Sequence, residues 1–142
     1  MSEVRRGEMS DAPTCAAILN AWIDGTEWMP RVHPPEDVVG HYQETVFAKR
    51  EVWVIGRPVR AYLSLDGGNY VTSLYSSVPC AGLGKSLLDH AKDLRHHLQL
   101  WTFVANAHAR RFYAREGFVE VERSDGDNEE GLPDIRYEWR AA

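Results

Sequence analysis

Three short β-rich segments follow one another in the middle of the sequence, and they restrict what the chain can fold into. The segments span residues 51–55, 59–65 and 70–75, and each is rich in the β-branched and aromatic residues that favour strands. Short polar turns at residues 56–58 and 66–69 separate them, and such connections are typical of neighbouring antiparallel strands. The sequence therefore predicts an antiparallel meander at the centre of the fold.

Helical segments lie on both sides of this meander. A first helix begins at residues 10–13, which offer capping Ser and Asp residues and a proline suited to a first turn, and Pro30 ends it near residues 28–29. A second helix begins at residues 34–37 and keeps apolar residues at helical spacing up to Val46.

The C-terminal half alternates helices and strands. A third helix after residues 82–85 carries one apolar stripe, formed by Leu87, Leu88, Ala91 and Leu94. The later elements are a strand at 98–104, a helix at 107–115 and strands at 118–122 and 135–139. The predicted order is β-α-α-β-β-β-α-β-α-β-β, which is a mixed α/β sheet with interleaved helices.

The composition fits one folded domain and argues against several classes of function. Of the 142 residues, 44% are hydrophobic, so residues 1–142 are predicted to form a single domain. The net charge of −5 disfavours nucleic-acid binding, which depends on neutralising phosphates. The sequence has no apolar stretch for a membrane span, no signal-peptide segment, and two cysteines that suit a reducing compartment, so we expect a cytoplasmic protein.

A glycine-containing turn between a strand and a helix, at residues 79–86, is the sharpest local motif. Its glycines allow close backbone approach, and free amides at a helix N-terminus favour an anion such as pyrophosphate. Gly84, Lys85 and Ser86 also match the end of a nucleotide-binding P-loop. Pro79 stands where that motif needs its first glycine, however, and no later strand ends in the required aspartate. A turn that simply needs glycine is the remaining alternative.

A second motif lies further along the chain, and together the two give the sequence a family resemblance. Residues 106–118 read Asn-Ala-His-Ala-Arg-Arg-Phe-Tyr-Ala-Arg-Glu-Gly-Phe. The chain resembles the GCN5-related N-acetyltransferase (GNAT) superfamily, whose Gln/Arg-x-x-Gly-x-Gly/Ala turn opens a helix and is followed by a strand and Asn-x-x-Ala-x-x-Phe-Tyr-x-x-x-Gly-Phe. The resemblance covers nearly the whole chain. It implies an α/β fold with a mixed, mostly antiparallel sheet of six or seven strands and about four helices.

The resemblance also implies binding of acetyl-coenzyme A. Backbone groups of Leu74, Tyr75 and Ser76 would meet the pantetheine arm on a strand that parts from its neighbour. Asn106 would touch the pantetheine, and Phe112 would pack in the core beside the cofactor. The pyrophosphate would lie on the amides of Ala81, Gly82, Leu83, Gly84, Lys85 and Ser86. The chain departs from the family pattern at Pro79, which replaces the usual Gln or Arg and has no amide hydrogen.

The function implied is direct acetyl transfer to a primary amine, with no metal. Tyr113 would protonate the departing thiolate, and a backbone amide of residues 74–76 would stabilise the oxyanion. Each assignment has a structural alternative: Asn106 can be only a helix cap, Tyr113 only a buried tyrosine, and the Lys85 side chain can face water instead of a phosphate. The alternative function is an acyl-coenzyme A-binding module that has lost catalysis and acts through a partner.

The sequence does not name the acceptor, but two regions are candidates for its pocket. Trp22 and Trp28 could form an apolar or cation–π wall. The acidic loop that contains Glu129 and Glu130 could attract a cationic amine, or it could be a solvated connection. Glu129, Glu130 and Asp134 are the general-base candidates, by charge alone. A homodimer is a further expectation from the resemblance.

Overall fold

The computed structural model describes residues 3–78 and 81–142, and it contains the predicted elements in the predicted order. The strands are β1 (Val4–Arg6), β2 (Glu51–Ile55), β3 (Ala61–Leu65), β4 (Val71–Ser76), β5 (His97–Phe103), β6 (Val119–Ser124) and β7 (Asp134–Arg140). The α-helices are α1 (Ala12–Asp24), α2 (Pro35–His41), α3 (Phe47–Lys49), α4 (Leu83–Leu94) and α5 (Ala107–Arg115). A 3₁₀ turn (Met9–Asp11) precedes α1, and a π-helical turn (Tyr42–Val46) joins α2 to α3.

The strands form two antiparallel halves that meet at one point. The first half has the order β1-β2-β3-β4 and the second has the order β5-β7-β6. Among the described residues, a single parallel bridge between Tyr70 and Gln99 joins them, where the Gln99 amide donates to the Asn69 carbonyl at 2.9 Å. The predicted mixed and mostly antiparallel α/β fold is confirmed. The seven described strands form two groups, and the division falls between β4 and β5.

The first half of the sheet is covered on both faces, which explains why β3 is buried at every position. Successive side chains of a strand point to opposite faces. Leu63 and Leu65 therefore join α4 and the second half in one core cluster, while Tyr62 joins α1 and α2 in another. Ser64 is also buried, and its hydroxyl bonds to the Thr72 hydroxyl at 2.7 Å, so this polar group is satisfied.

Two helix boundaries differ from the sequence expectation for local reasons. Helix α1 ends at Asp24, before residues 28–29, because the Gly25 amide closes the last turn on the Ala21 carbonyl at 3.0 Å. Leu94 was predicted on the apolar stripe of α4, but it lies in the last turn and is 45% exposed. No helix in the two described ranges is both long enough and apolar enough to cross a membrane.

Leu88 and Leu94 form a matched pair for testing which side of α4 stabilises the fold. Leu88 is fully buried, so Leu88→Ala should lower the free energy of unfolding by about 2–5 kcal/mol through lost burial and a cavity. Leu94→Ala should change it by about 0.5 kcal/mol or less, as is usual for surface substitutions. Urea unfolding of both variants measures the difference, and equal losses would contradict the assignment of the core face.

Candidate active site

The gap between β4 and β5 is the first component of the site. Leu74, Tyr75 and Ser76 pair with β3 on one side of β4, and β4 is the edge strand of its half. In a strand, backbone groups alternate between the two edges. Some backbone groups of these three residues therefore face the gap, where the described part of β5 does not pair with them. They are available to bond an extended ligand.

The start of α4 is the second component. Gly82 precedes the helix in a left-handed conformation (φ +73°), and its carbonyl accepts the first helical bond, from the Ser86 amide at 3.1 Å. The amides of Leu83, Gly84 and Lys85 come before that bond, so they lack helical acceptors and favour an anion. The sequence predicts that the Ser86 amide also holds the anion, but this amide already donates to the Gly82 carbonyl within the helix.

The described residues leave open space beside Gly82 and a close contact beside Gly84. A Cβ built on Gly82 would meet nothing within 4 Å, and one built on Gly84 would lie 3.7 Å from Cζ of Phe112. The half-buried Phe112 packs against the main core cluster. It is therefore a structural residue, and it lies at the place where α5 meets the start of α4. Ala81 precedes Gly82 in this turn, and it is exposed.

The side chain of Lys85 is committed to other partners. Its Nζ lies 3.0 Å from Oε1 of Glu116 and 3.3 Å from Oδ2 of Asp89. The hydrogen bonds to Glu116 and Asp89 raise the pKa of Lys85. The predicted contact between this ammonium and a phosphate would therefore require the exchange of a carboxylate partner, and the backbone amide is the group of Lys85 that fits the anion site.

Asn106 and Tyr113 both have the structural roles that the sequence left open. The Asn106 Oδ1 accepts a hydrogen bond from the Ala109 amide at 3.1 Å, so Asn106 caps α5. The Tyr113 ring is buried against Phe112, Phe118 and Tyr137. Burial raises the pKa of Tyr113, so the phenol keeps its proton at neutral pH. These roles do not exclude contacts of either residue with a ligand.

A cleft of about 550 Å³ lies against the same gap. Tyr75 of β4 and Phe103 of β5 both line it, so the cleft opens where the two strands part. The rest of its apolar wall includes Leu19, Ile23, Met29 and Val32. Its charged and titratable lining consists of His33, Asp37, His41, Glu129 and Glu130. The cleft combines an apolar body with an acidic margin, which suits an amine better than an anion.

The structure brings the predicted acceptor residues to this cleft, although not all of them line it. Glu129 and Glu130 are lining residues, and Oε1 of Glu129 lies 3.2 Å from Nε2 of His33 on the opposite loop. Trp22 packs against Tyr75, with ring centroids 5.4 Å apart, and Trp28 packs against Phe103 at 5.8 Å. The two indoles thus support lining residues. They are not part of the lining that the described residues form.

Asp134 does not belong to the cleft. It is the first residue of β7, opposite Phe103 in the ladder, and it is buried. Its Oδ1 accepts a hydrogen bond from the Ser124 hydroxyl. This contact joins the ends of β6 and β7, and the described lining of the cleft does not include Asp134.

Sequence reasoning missed the contribution of α2 to the cleft. Asp37, Val38, His41 and Tyr42 all line it, and their spacing places them on one side of the helix. That spacing was visible in the sequence, but the packing of this side against β4 was not. Burial and the positive charges of Arg50 and His33 lower the pKa of His41, so its imidazole is neutral at pH 7.

Comparison with solved structures identifies the fold. YjaB from Escherichia coli in its apo form matches with a TM-score of 0.79 and 20% identity, over 100% of this chain and 99% of that one. YncA from Salmonella typhimurium, solved with its cofactor acetyl-CoA, matches with a TM-score of 0.74 and 18% identity, over 100% and 95% of the two chains. A GCN5-related N-acetyltransferase from Rhodopseudomonas palustris matches with a TM-score of 0.78 and 18% identity, over 99% and 96%.

No protein-family model matches the sequence, and no curated protein matches it. The structural similarity spans the whole domain in each comparison. The chain therefore has the fold of the GCN5-related N-acetyltransferases, which confirms the resemblance found in the two sequence motifs.

Gly82 provides a test of the anion site at the start of α4. Asn and Asp have nearly the same shape, and both tolerate a left-handed backbone better than most residues do. If the amides of α4 hold a pyrophosphate, Gly82→Asp should bind acetyl-coenzyme A at least about tenfold more weakly than Gly82→Asn, because only Asp adds a negative charge. Isothermal titration of the two variants measures this ratio. Equal affinities in folded variants would exclude this position from the phosphate site.

Proposed function

We propose that the protein transfers an acetyl group from acetyl-coenzyme A to a primary amine. The observation that supports this most directly is the position of the β4–β5 gap. It provides unpaired backbone groups on β4, it borders the cleft through Tyr75 and Phe103, and β4 leads to the unbonded amides of α4. A long ligand that carries a diphosphate and a small acceptor can therefore meet at one place.

In this proposal the backbone holds most of the cofactor. Leu74, Tyr75 and Ser76 would bond the pantetheine arm along the free edge of β4. The amides of Leu83, Gly84 and Lys85 would hold the pyrophosphate, with Gly82 leaving room for it. Asn106 can reach the arm with its amide nitrogen, because its Oδ1 is already used as the cap of α5. When bound, acetyl-coenzyme A supplies an activated acetyl thioester.

The proposed reaction is a direct attack of the amine on the thioester carbonyl carbon. The C–N bond forms and the C–S bond breaks, while the acetyl group passes through a tetrahedral state with a negatively charged oxygen. A backbone amide of residues 74–76 stabilises that oxygen. Tyr113 donates its proton to the departing thiolate, and its raised pKa keeps the proton available.

The lining of the cleft supports an amine that carries further positive charge. Asp37, Glu129 and Glu130 contribute three carboxylates, and neither Lys nor Arg is present in the lining formed by the described residues. The carboxylates attract cations and repel anions, an effect that weakens as salt rises. Besides His33 and His41, aliphatic and aromatic side chains form the remainder of the lining, so the acceptor would also have an apolar body.

Binding and turnover separate this proposal from the alternatives. Acetyl-coenzyme A should raise the thermal unfolding temperature, since a ligand of the native state stabilises it, whereas Mg-ATP should not. Thiol release is then measured with phenethylamine, 1,4-diaminobutane and an alanyl peptide. Stabilisation together with thiol release supports the transferase. Stabilisation without release by any amine favours the binding module, and stabilisation by Mg-ATP alone would overturn both.

Tyr113→Phe tests the proposed proton donor. The variant keeps the ring and its packing, so stability and acetyl-coenzyme A affinity should remain, while turnover falls about 10²-fold or more. Tyr137→Phe is the matched control, because Tyr137 is also buried and packs against Tyr113. It should keep the parent turnover. If Tyr113→Phe is as active as the parent, the thiolate takes its proton from water.

A further inference from the structure

The three carboxylates that the sequence offered as bases have different partners in the structure. Glu129 is bound to His33, at 3.2 Å, and Asp134 is bound to Ser124 outside the cleft. Glu130 is half-buried and lines the cleft, and within residues 3–78 and 81–142 it has neither a hydrogen-bond donor nor an ion-pair partner. Of the three, Glu130 is the one that both lines the cleft and has a carboxylate without a hydrogen-bond partner among the described residues.

Glu130 shares the lining of the cleft with Tyr75 of β4. Because Tyr75 lies on β4 at the gap, Glu130 and the strand that would hold the thioester border the same cleft. Burial raises the pKa of Tyr75, so its phenol keeps its proton at neutral pH.

Asp37 and His41 are the other possible bases in the lining of the cleft, and their surroundings differ. Asp37 is exposed, whereas Glu130 is half-buried. Burial and Arg50 lower the pKa of His41, and His33, which also lines the cleft, is bound to Glu129. Glu130 is therefore the half-buried carboxylate of this lining that has no partner among the described residues.

We propose that Glu130 is the catalytic base that takes a proton from the acceptor ammonium. The inference rests on the proposed acetyl transfer. The ammonium gives one proton to Glu130 and becomes the free amine, whose nitrogen then bonds to the carbonyl carbon. The nitrogen loses a second proton as the C–S bond breaks, while Tyr113 gives its proton to the thiolate. The second nitrogen proton then restores the Tyr113 phenol through water. Glu130 returns its proton to water, so each turnover releases one proton.

The pH dependence of this step is influenced by groups on several elements. Facing the cleft with Glu130 are Tyr75 of β4, Tyr42 of the π-helical turn, Asp37 and His41 of α2, His33 of the preceding loop and its own neighbour Glu129. The informative range is alkaline, because the amine itself loses its proton there, at a pKa of about 10 for an alkylamine.

Glu130→Gln tests the inference, with phenethylamine and 1,4-diaminobutane as acceptors. At pH 7 we expect kcat/KM to fall about 10²-fold, because an amine without a base reacts only in its small deprotonated fraction. The deficit should shrink as the pH approaches 10, where the amine needs no base. Affinity for acetyl-coenzyme A should stay at the parent value, as measured by titration. A purely structural effect would not depend on pH in this way.

Glu129→Gln is the matched comparison, since it removes the neighbouring carboxylate from the same loop. It should raise KM for 1,4-diaminobutane more than for phenethylamine, with a ratio to the parent that does not shrink between pH 7 and 10. If Glu130→Gln shows the same pH-independent pattern, or keeps the parent kcat/KM at pH 7, Glu130 is not the base. If the parent itself releases no thiol with any amine, the proposed transfer fails first, and the inference fails with it.

Discussion

The single bridge between the two halves of the sheet is the constraint on which the rest of the structure depends. Side-chain bonds fix it: Arg95 donates to Oδ1 of Asn69 at 2.7 Å, and Gln99 donates to the Gly68 carbonyl at 3.0 Å. On one side of the bridge, the leucines of α4 pack against both halves in a common core. On the other side, the strands part and leave backbone groups that need partners. The gap is thus a consequence of where the halves are joined, and the site follows from the gap.

Much of the fold could be predicted from local patterns. The runs of β-branched residues and the Gly- and Asp-containing turns gave the strands, because those signals act within a few residues. The exposure of Leu94 and the pairing of Lys85 with Glu116 could not be predicted in the same way. Helical spacing describes one helix alone. The ion pair instead depends on the chain after α5, which brings Glu116 back to Lys85 from 31 residues further along, and the exposure of Leu94 depends on which elements pack against the last turn of α4.

The candidate site was predictable to a different extent on its two sides. The backbone site on β4 and α4 was expected because glycine and the helix start determine it locally. The sequence indicated the acidic loop by its charge alone, whereas the contacts that hold the loop in place are seen only in the structure. A Cβ on Gly126 would lie 2.9 Å from the Gly131 carbonyl oxygen, and the Asn128 side chain bonds to both the amide and the carbonyl of Leu132. This closed turn presents Glu129 and Glu130 to the cleft, opposite an α2 surface that no local motif predicted.

In the proposed reaction, the two halves of the sheet have separate tasks. The first half and α4 would bind the cofactor through backbone groups, which cannot be lost by side-chain substitution. The groups that move protons, Tyr113 and Glu130, lie in the chain that forms the second half and its connections. Burial raises the pKa of Tyr113, so its phenol is protonated at neutral pH and has a proton to donate. The alignment of acid, base and thioester therefore depends on how β5 is held against β4, so the bridge at Tyr70 and Gln99 connects the fold to the chemistry.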